Sequence, residues 1–292
     1  MTVVSERFAA AVREHLVLSL VNLSVHPVVM GIFGPPGEGK TFQLRKILDG
    51  LAVRTVSISA ADFESERAGA PGKDLLAAYV DAAREIRAKR PTCLVIDDID
   101  TTVGEWENNT GTVNHQQVLA QLMHLADRPC DIERVGRIER VPIFVTGNDF
   151  GKLYPPLRRP GRMTVLHWSP TGEERRSVVA AILVGLVEPN IVGSLLASYP
   201  LHPVSFFAEL RSTLVRSGAA TVIQRLADDL ALISGEGDRF RGHLQAAMRR
   251  GLDPIAVEQA AATLHEQHQA ANRAYLTPTY LAPTPTLSQV IE

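Results

Sequence analysis

The run Gly34-Pro35-Pro36-Gly37-Glu38-Gly39-Lys40-Thr41 constrains this 292-residue chain more than any other feature. An apolar stretch, residues 28–33, leads into it, and a helical pattern, residues 41–48, leads out. In that context glycines let the backbone curl so that several N–H groups and a helix N-terminus face one anion, while the lysine supplies a mobile cation. The spacing G-x-x-x-x-G-K-[ST] therefore predicts a P-loop: residues Gly34 to Phe42 around the phosphates of ATP, Lys40 on the β and γ oxygens, and Thr41 on Mg2+.

A P-loop needs a parallel sheet behind it, and the pattern supplies one. Residues 28–33, 53–59, 92–96, 141–146 and 164–168 read as short buried strands. Between them, residues 41–48, 74–89 and 114–125 carry apolar side chains at helical spacing, as in Leu75, Leu76, Tyr79, Val80, Ala83 and Ile86. The class is α/β. After Trp168 strand signals stop. Thr171 and Glu174 form a capping-box pattern opening a helix to about Leu186, and further helices are expected at 191–199, 204–215, 221–233, 239–250 and 254–275. The expected organisation is an α/β nucleotide-binding subdomain (1–168), a helical lid (169–218), additional helices (219–275) and a Pro-rich tail (276–292).

Three further segments carry chemistry. Cys93-Leu94-Val95-Ile96-Asp97-Asp98 is a buried strand ending in acids, where ligands bind in open α/β sheets. Asp97 is expected in the magnesium shell and Asp98 as the group that polarises the attacking water. Aspartate, a methylene shorter than glutamate, leads us to expect slow hydrolysis. Val145-Thr146-Gly147-Asn148 ends another buried strand, which puts the Asn148 amide in line to orient water at the γ-phosphate. Arg158-Arg159-Pro160-Gly161-Arg162 gathers cations in a turn, and in a ring Arg159 and Arg162 would reach a neighbouring subunit's γ-phosphate as arginine fingers.

Other readings are weaker. Acids and bases nearly balance, 32 against 30, so no global field draws the chain to nucleic acid. Asn22, Ser24, His26 and Pro27 interrupt the apolar stretch 16–33, which excludes a bilayer-spanning helix there. Residues 1–15 lack a secretory pattern, and two cysteines, Cys93 and Cys130, form no disulfide framework, so a cytoplasmic setting is expected. His265 and His268 stand at i and i+3, whereas the zinc protease motif needs i and i+4; a solvated helix face is expected.

The order P-loop, acid-ended strand, strand-end Asn148, Arg159-Pro160-Gly161-Arg162 and helical lid resembles AAA+ proteins. Within them the chain is similar to Rubisco activase over roughly residues 6–216, through Gly31-Ile32-Phe33-Gly34, Gly39-Lys40-Thr41-Phe42-Gln43, Asp98-Ile99-Asp100, Thr112-Val113-Asn114, Val145-Thr146-Gly147-Asn148-Asp149-Phe150, Leu153-Tyr154, Gly161-Arg162-Met163 and Ser205-Phe206-Phe207. That resemblance implies a hexameric ring, a pore-facing loop at 62–73 with Glu64, Arg67 and Gly69, a nucleotide-sensing lid arginine at Arg211, and Rubisco or a Rubisco-like complex as client. It departs from plant activases in three respects: Thr213 stands at a second basic position, no separate amino-terminal domain is expected, and helices are added after Gly218. A nucleotide-switched assembly factor with little turnover and a DNA-directed loader are the competing readings.

Overall fold

A computed structural model describes residues 4–58, 70–102, 113–133, 135–227, 242 and 253–275. The described chain divides into two compact units. The first runs to Val178 and includes Pro203–Ser205; the second comprises Val179–His202 and resumes at Phe206.

The first unit is built on a five-stranded parallel sheet. Its strands are β1 (Val29–Phe33), β2 (Arg54–Ile58), β3 (Thr92–Ile96), β6 (Ile143–Gly147) and β7 (Met163–His167), in the order β2-β3-β6-β1-β7. A small antiparallel hairpin, β4 (Asp131–Ile132) and β5 (Gly136–Arg137), stands apart. Alternation along each strand sorts side chains to two faces. Val29, Phe33, Leu94, Ile96, Ile143 and Val145 pack against α3 (Ala70–Arg87) and α5 (Val113–Asp127). Met30, Ile32, Cys93, Val95 and Phe144 pack against α1 (Glu6–Leu20) and α2 (Lys40–Gly50). Both faces are covered, which is why these strands read as unbroken apolar runs.

All five expected strands are present, with ends shifted by up to two residues. Helix α1 escaped the sequence reading, because its buried face (Phe8, Val12, Leu16) merges with the apolar stretch that continues toward β1. Ser5 caps it, its hydroxyl accepting the Phe8 N–H. Helix α3 starts four residues earlier than expected, taking residues 70–73 out of the anticipated loop; Pro71 in its first turn is compatible with a helix start. Residues 62–69, Thr112, the helix expected at 239–250 apart from residue 242, and the tail lie outside the described residues. The short α4 (Ile99–Thr102) follows β3.

The capping box is observed. The Thr171 N–H donates to Glu174 Oε2 at 2.8 Å and the Glu174 N–H to Thr171 Oγ1 at 3.2 Å, opening α6 (Gly172–Leu183). In the second unit α7 (Pro189–Ser198), α8 (Val204–Ala227) and α9 (Pro254–Tyr275) enclose a core that includes Val192, Leu195, Phe207, Leu210, Leu214, Val257 and Ala261. The break expected near Gly218 is corrected: α8 runs through it. A glycine costs about 1 kcal/mol in a helix but blocks no hydrogen bond, and alanines follow it. His265 and His268 are half-buried rather than solvated: His265 Nδ1 lies 2.6 Å from His202 Nε2, and His268 Nε2 2.8 Å from Glu209 Oε2. Among the described residues no helix is long and apolar enough to cross a membrane, and no three His, Cys, Asp or Glu side chains converge to hold a metal ion.

Candidate nucleotide site

Because the sheet is parallel, β1, β3 and β6 deliver their following residues to one edge. That places the Gly34–Thr41 loop, Asp97 and Asp98, and Asn148 together, with β6 lying between β3 and β1.

The loop has no room for side chains where it folds back. A Cβ on Gly34, whose φ is +157°, would stand 1.8 Å from the Trp168 carbonyl oxygen, and one on Gly37 (φ +76°) would stand 2.4 Å from Ser205 Oγ. The Ser205 N–H donates to the Gly37 carbonyl at 2.9 Å. Trp168 holds the other side, its indole N–H donating to the Glu38 carbonyl at 2.9 Å. The Glu38 carboxylate pairs with Arg175 at 3.2 Å; burial nonetheless pushes the Glu38 carboxyl above the usual range. Gly39 is the N-cap of α2 and provides no side-chain acceptor for the first N–H groups of that helix.

Lys40 is 7 % exposed, and its ammonium donates to the carbonyls of Gly34 (2.7 Å) and Pro35 (2.9 Å) and to Asn148 Oδ1 (2.9 Å). Burial lowers its proton affinity, while Asp98, Asp100 and Glu38 raise it. Asp98 sits at φ +51°, a left-handed conformation that few side chains tolerate. Desolvation and then its neighbours Asp97 and Asp100 push the Asp98 carboxyl above the ordinary range, opposed by Lys40.

A residue to which the sequence reading gave no role joins these parts. Thr146 is fully buried; its hydroxyl donates to Asp97 Oδ1 (3.2 Å), accepts the Asp98 N–H (3.2 Å) and lies 3.4 Å from Thr41 Oγ1. One O–H and two lone pairs suffice for all three if Thr41 donates. The signal was register: Ile96 pairs with Val145, so the next residues on each strand, Asp97 and Thr146, come level, but only once β3 and β6 are known to be neighbours. Arg45 also pairs with Asp97, at 2.6 Å and largely exposed.

Other expected residues lie elsewhere. Phe42 is 51 % exposed on the first turn of α2, with Lys46 Nζ 6.0 Å from its ring. Arg159 and Arg162 stand before β7, at the opposite sheet edge from the loop: Met163 pairs with Val29, the first residue of β1. Arg162 forms a two-pronged pair with Asp127, both contacts at 2.7 Å, whereas Arg159 is exposed. Arg211 belongs to the second unit, where it donates to the carbonyls of Ile182 and Val184 near the end of α6.

Residues 30–171 match the family model described as "ATPase family associated with various cellular activities (AAA)". Over those residues the chain carries an AAA ATPase module. Its similarity extends to Rubisco activases: 34% identity over 90% of this chain and 58% of a chloroplastic activase of Solanum pennellii. A chloroplastic activase 1 of Nicotiana tabacum is 37% identical over 73% of this chain and 51% of its own length. That of Anabaena sp. is 37% identical over 72% and 53%. The chain thus spans about half the length of these relatives. The resemblance read from the motifs is borne out by similarity to AAA ATPases and to Rubisco activases.

Proposed function

We propose that the chain binds Mg-ATP at this edge and hydrolyses it as part of an oligomeric ring, most simply a hexamer, that remodels a protein client. The observation that carries the reading is the convergence on Lys40: Asn148 Oδ1 lies 2.9 Å from its ammonium, and the Asp98 and Asp100 charges act on it.

Lys40 and the N–H groups opening α2 bind the phosphates. Thr41 and Asp97 would hold Mg2+, and the fit is supported by their oxygens meeting at one hydroxyl, Thr146, with few carboxylates, as this hard ion prefers. When bound, the ion neutralises charge on the transferring phosphoryl group. Asp98 polarises the attacking water and Asn148 orients it. Arg159 and Arg162 precede β7, whose first residue is level with Val29; four residues at about 3.3 Å each separate that level from Phe33, so arginine-finger action requires a second copy. Arg211 reports nucleotide state from the lid.

The relatives named as Rubisco activases make Rubisco, or a complex like it, the first client to test. Two free thiols, Cys93 buried and Cys130 half-buried, support a reducing, cytoplasmic setting. The near-neutral charge balance argues against nucleic acid as partner. A scaffold with little turnover is not favoured by kinship with ATPases.

The test is steady-state ATPase rate against protein concentration. Wild type should turn over cooperatively, Lys40→Ala should lose binding and turnover, and Asp98→Asn should bind ATP with turnover reduced at least ~100-fold. Binding without turnover in wild type at every concentration sinks the motor; activity with no effect on inhibited Rubisco sinks the client.

A further inference from the structure

We infer that Asp100 is the positioning residue of this site: its carboxylate ties the end of β3 to the end of β6 and thereby sets Asn148 against Lys40. This rests on the hydrolytic reading above and gives Asp100 a positioning role which that reading does not assign.

Asp100 lies in the first turn of α4, two residues beyond Asp98, and is 4 % exposed. Its Oδ2 accepts the N–H groups of both Asn148 and Asp149, each at 2.9 Å. These amides come just after β6 ends, where the strand ladder no longer pairs them, so one carboxylate oxygen supplies the acceptor for both. The other oxygen, Oδ1, is buried without a hydrogen-bond partner. It faces Gly147, where a Cβ would come within 2.8 Å of it and 2.5 Å of the Phe33 ring.

A buried carboxylate with one oxygen doubly engaged and the other unpaired is a costly way to satisfy two amides. An asparagine would satisfy them without a buried charge. What the carboxylate adds is rigidity and sign. Two charge-assisted bonds to consecutive amides fix the backbone that carries the Asn148 side chain, and the negative charge acts on Lys40, raising its proton affinity. Asp100 hydrogen-bonds the Asn148 and Asp149 backbone and reaches Lys40 only by its charge, so it positions these groups rather than touching the reacting atoms.

The experiment compares wild type, Asp100→Ala and Asp100→Asn in the full chain. A fluorescent ATP analogue gives nucleotide affinity, single-turnover hydrolysis gives kcat, and hydrogen exchange of a peptide covering 147–150, without nucleotide, reads the two amides directly. Asp100→Ala should keep affinity within ~3-fold, lose at least ~10-fold in kcat, and speed exchange at 148 and 149 by ~10-fold or more. Asp100→Asn, whose side-chain oxygen accepts the same amides, should restore exchange and most of the turnover. If the alanine variant does not fold, Asp100→Ser, with a shorter acceptor, takes its place. Unchanged exchange in the alanine variant overturns the proposal, as does loss of affinity in parallel with kcat, or asparagine behaving as badly as alanine. Failure of the hydrolytic reading is distinguishable, because wild type itself would then lack turnover; the exchange data would still decide whether Asp100 holds the turn.

Discussion

At the residue scale, the geometry of the loop was legible in its spacing: Gly34 and Gly37 stand where Cβ atoms would collide, and Lys40 is buried against the loop's own carbonyls. What was not legible were the residues that brace these groups from a neighbouring strand. Thr146 reads as an ordinary strand threonine until β3 and β6 are known to be adjacent, and then it becomes the hydroxyl on which Thr41, Asp97 and the Asp98 amide depend. Thr146→Val keeps the shape and removes the hydroxyl, taking a part-buried partner from the Asp97 carboxylate and the Asp98 N–H. It should cost ~1–3 kcal/mol in urea unfolding and lower kcat more than ATP affinity, since the loop that binds phosphate is untouched. A valine variant with wild-type stability and turnover would mean that the hydroxyl is incidental.

At the element scale, strands and capped helices were legible and the first helix was not. Glu174 was foreseen as the capping-box partner of Thr171, but it also accepts from Ser5 Oγ (2.6 Å) and Arg7 (3.0 Å), which fastens α1 beside the start of α6. No local pattern encodes a contact spanning 169 residues. The Arg7 hydrogen bond, followed by those of Ser5 and Thr171, holds the Glu174 carboxyl well below its ordinary value of 4.5, at about 2. The sign follows: a carboxyl whose folded pKa is depressed stabilises the fold in full above about pH 4.5 and loses that contribution as pH falls toward about 2. Glu174→Gln, which keeps an acceptor for the cap but removes the charge, should therefore lower stability by ~1 kcal/mol near neutrality, a modest effect because the ion pair with Arg7 is solvent-screened. The gap between variant and wild type in urea midpoint should close between pH 4.5 and 2. A gap independent of pH would assign Glu174 a packing role alone.

At the scale of the whole molecule, the two groups of residues proposed for the site lie beyond opposite ends of the strands. Lys40, Asp98 and Asn148 lie beyond the carboxyl ends of the strands, and Arg159 and Arg162 lie before the amino end of β7. Of the two arginines, Arg162 is engaged with Asp127 while Arg159 is exposed, so Arg159 is the side chain readier to meet a neighbour's phosphate. Mixing variants tests this without a structure of the assembly. Lys40→Ala protomers have no phosphate site but a sound Arg159; Arg159→Ala protomers have the reverse. Each alone should be inactive. If the arginine acts on a neighbour, an equimolar mixed ring regains activity wherever an Arg159→Ala protomer's intact Lys40 site faces a Lys40→Ala protomer's Arg159, which random assembly provides at roughly one site in four. If the arginine serves its own protomer, no mixture contains a complete site and activity stays at zero. Recovery that also requires protein concentrations at which rings form would tie hydrolysis to assembly, because a complete site would then exist only between copies of this chain.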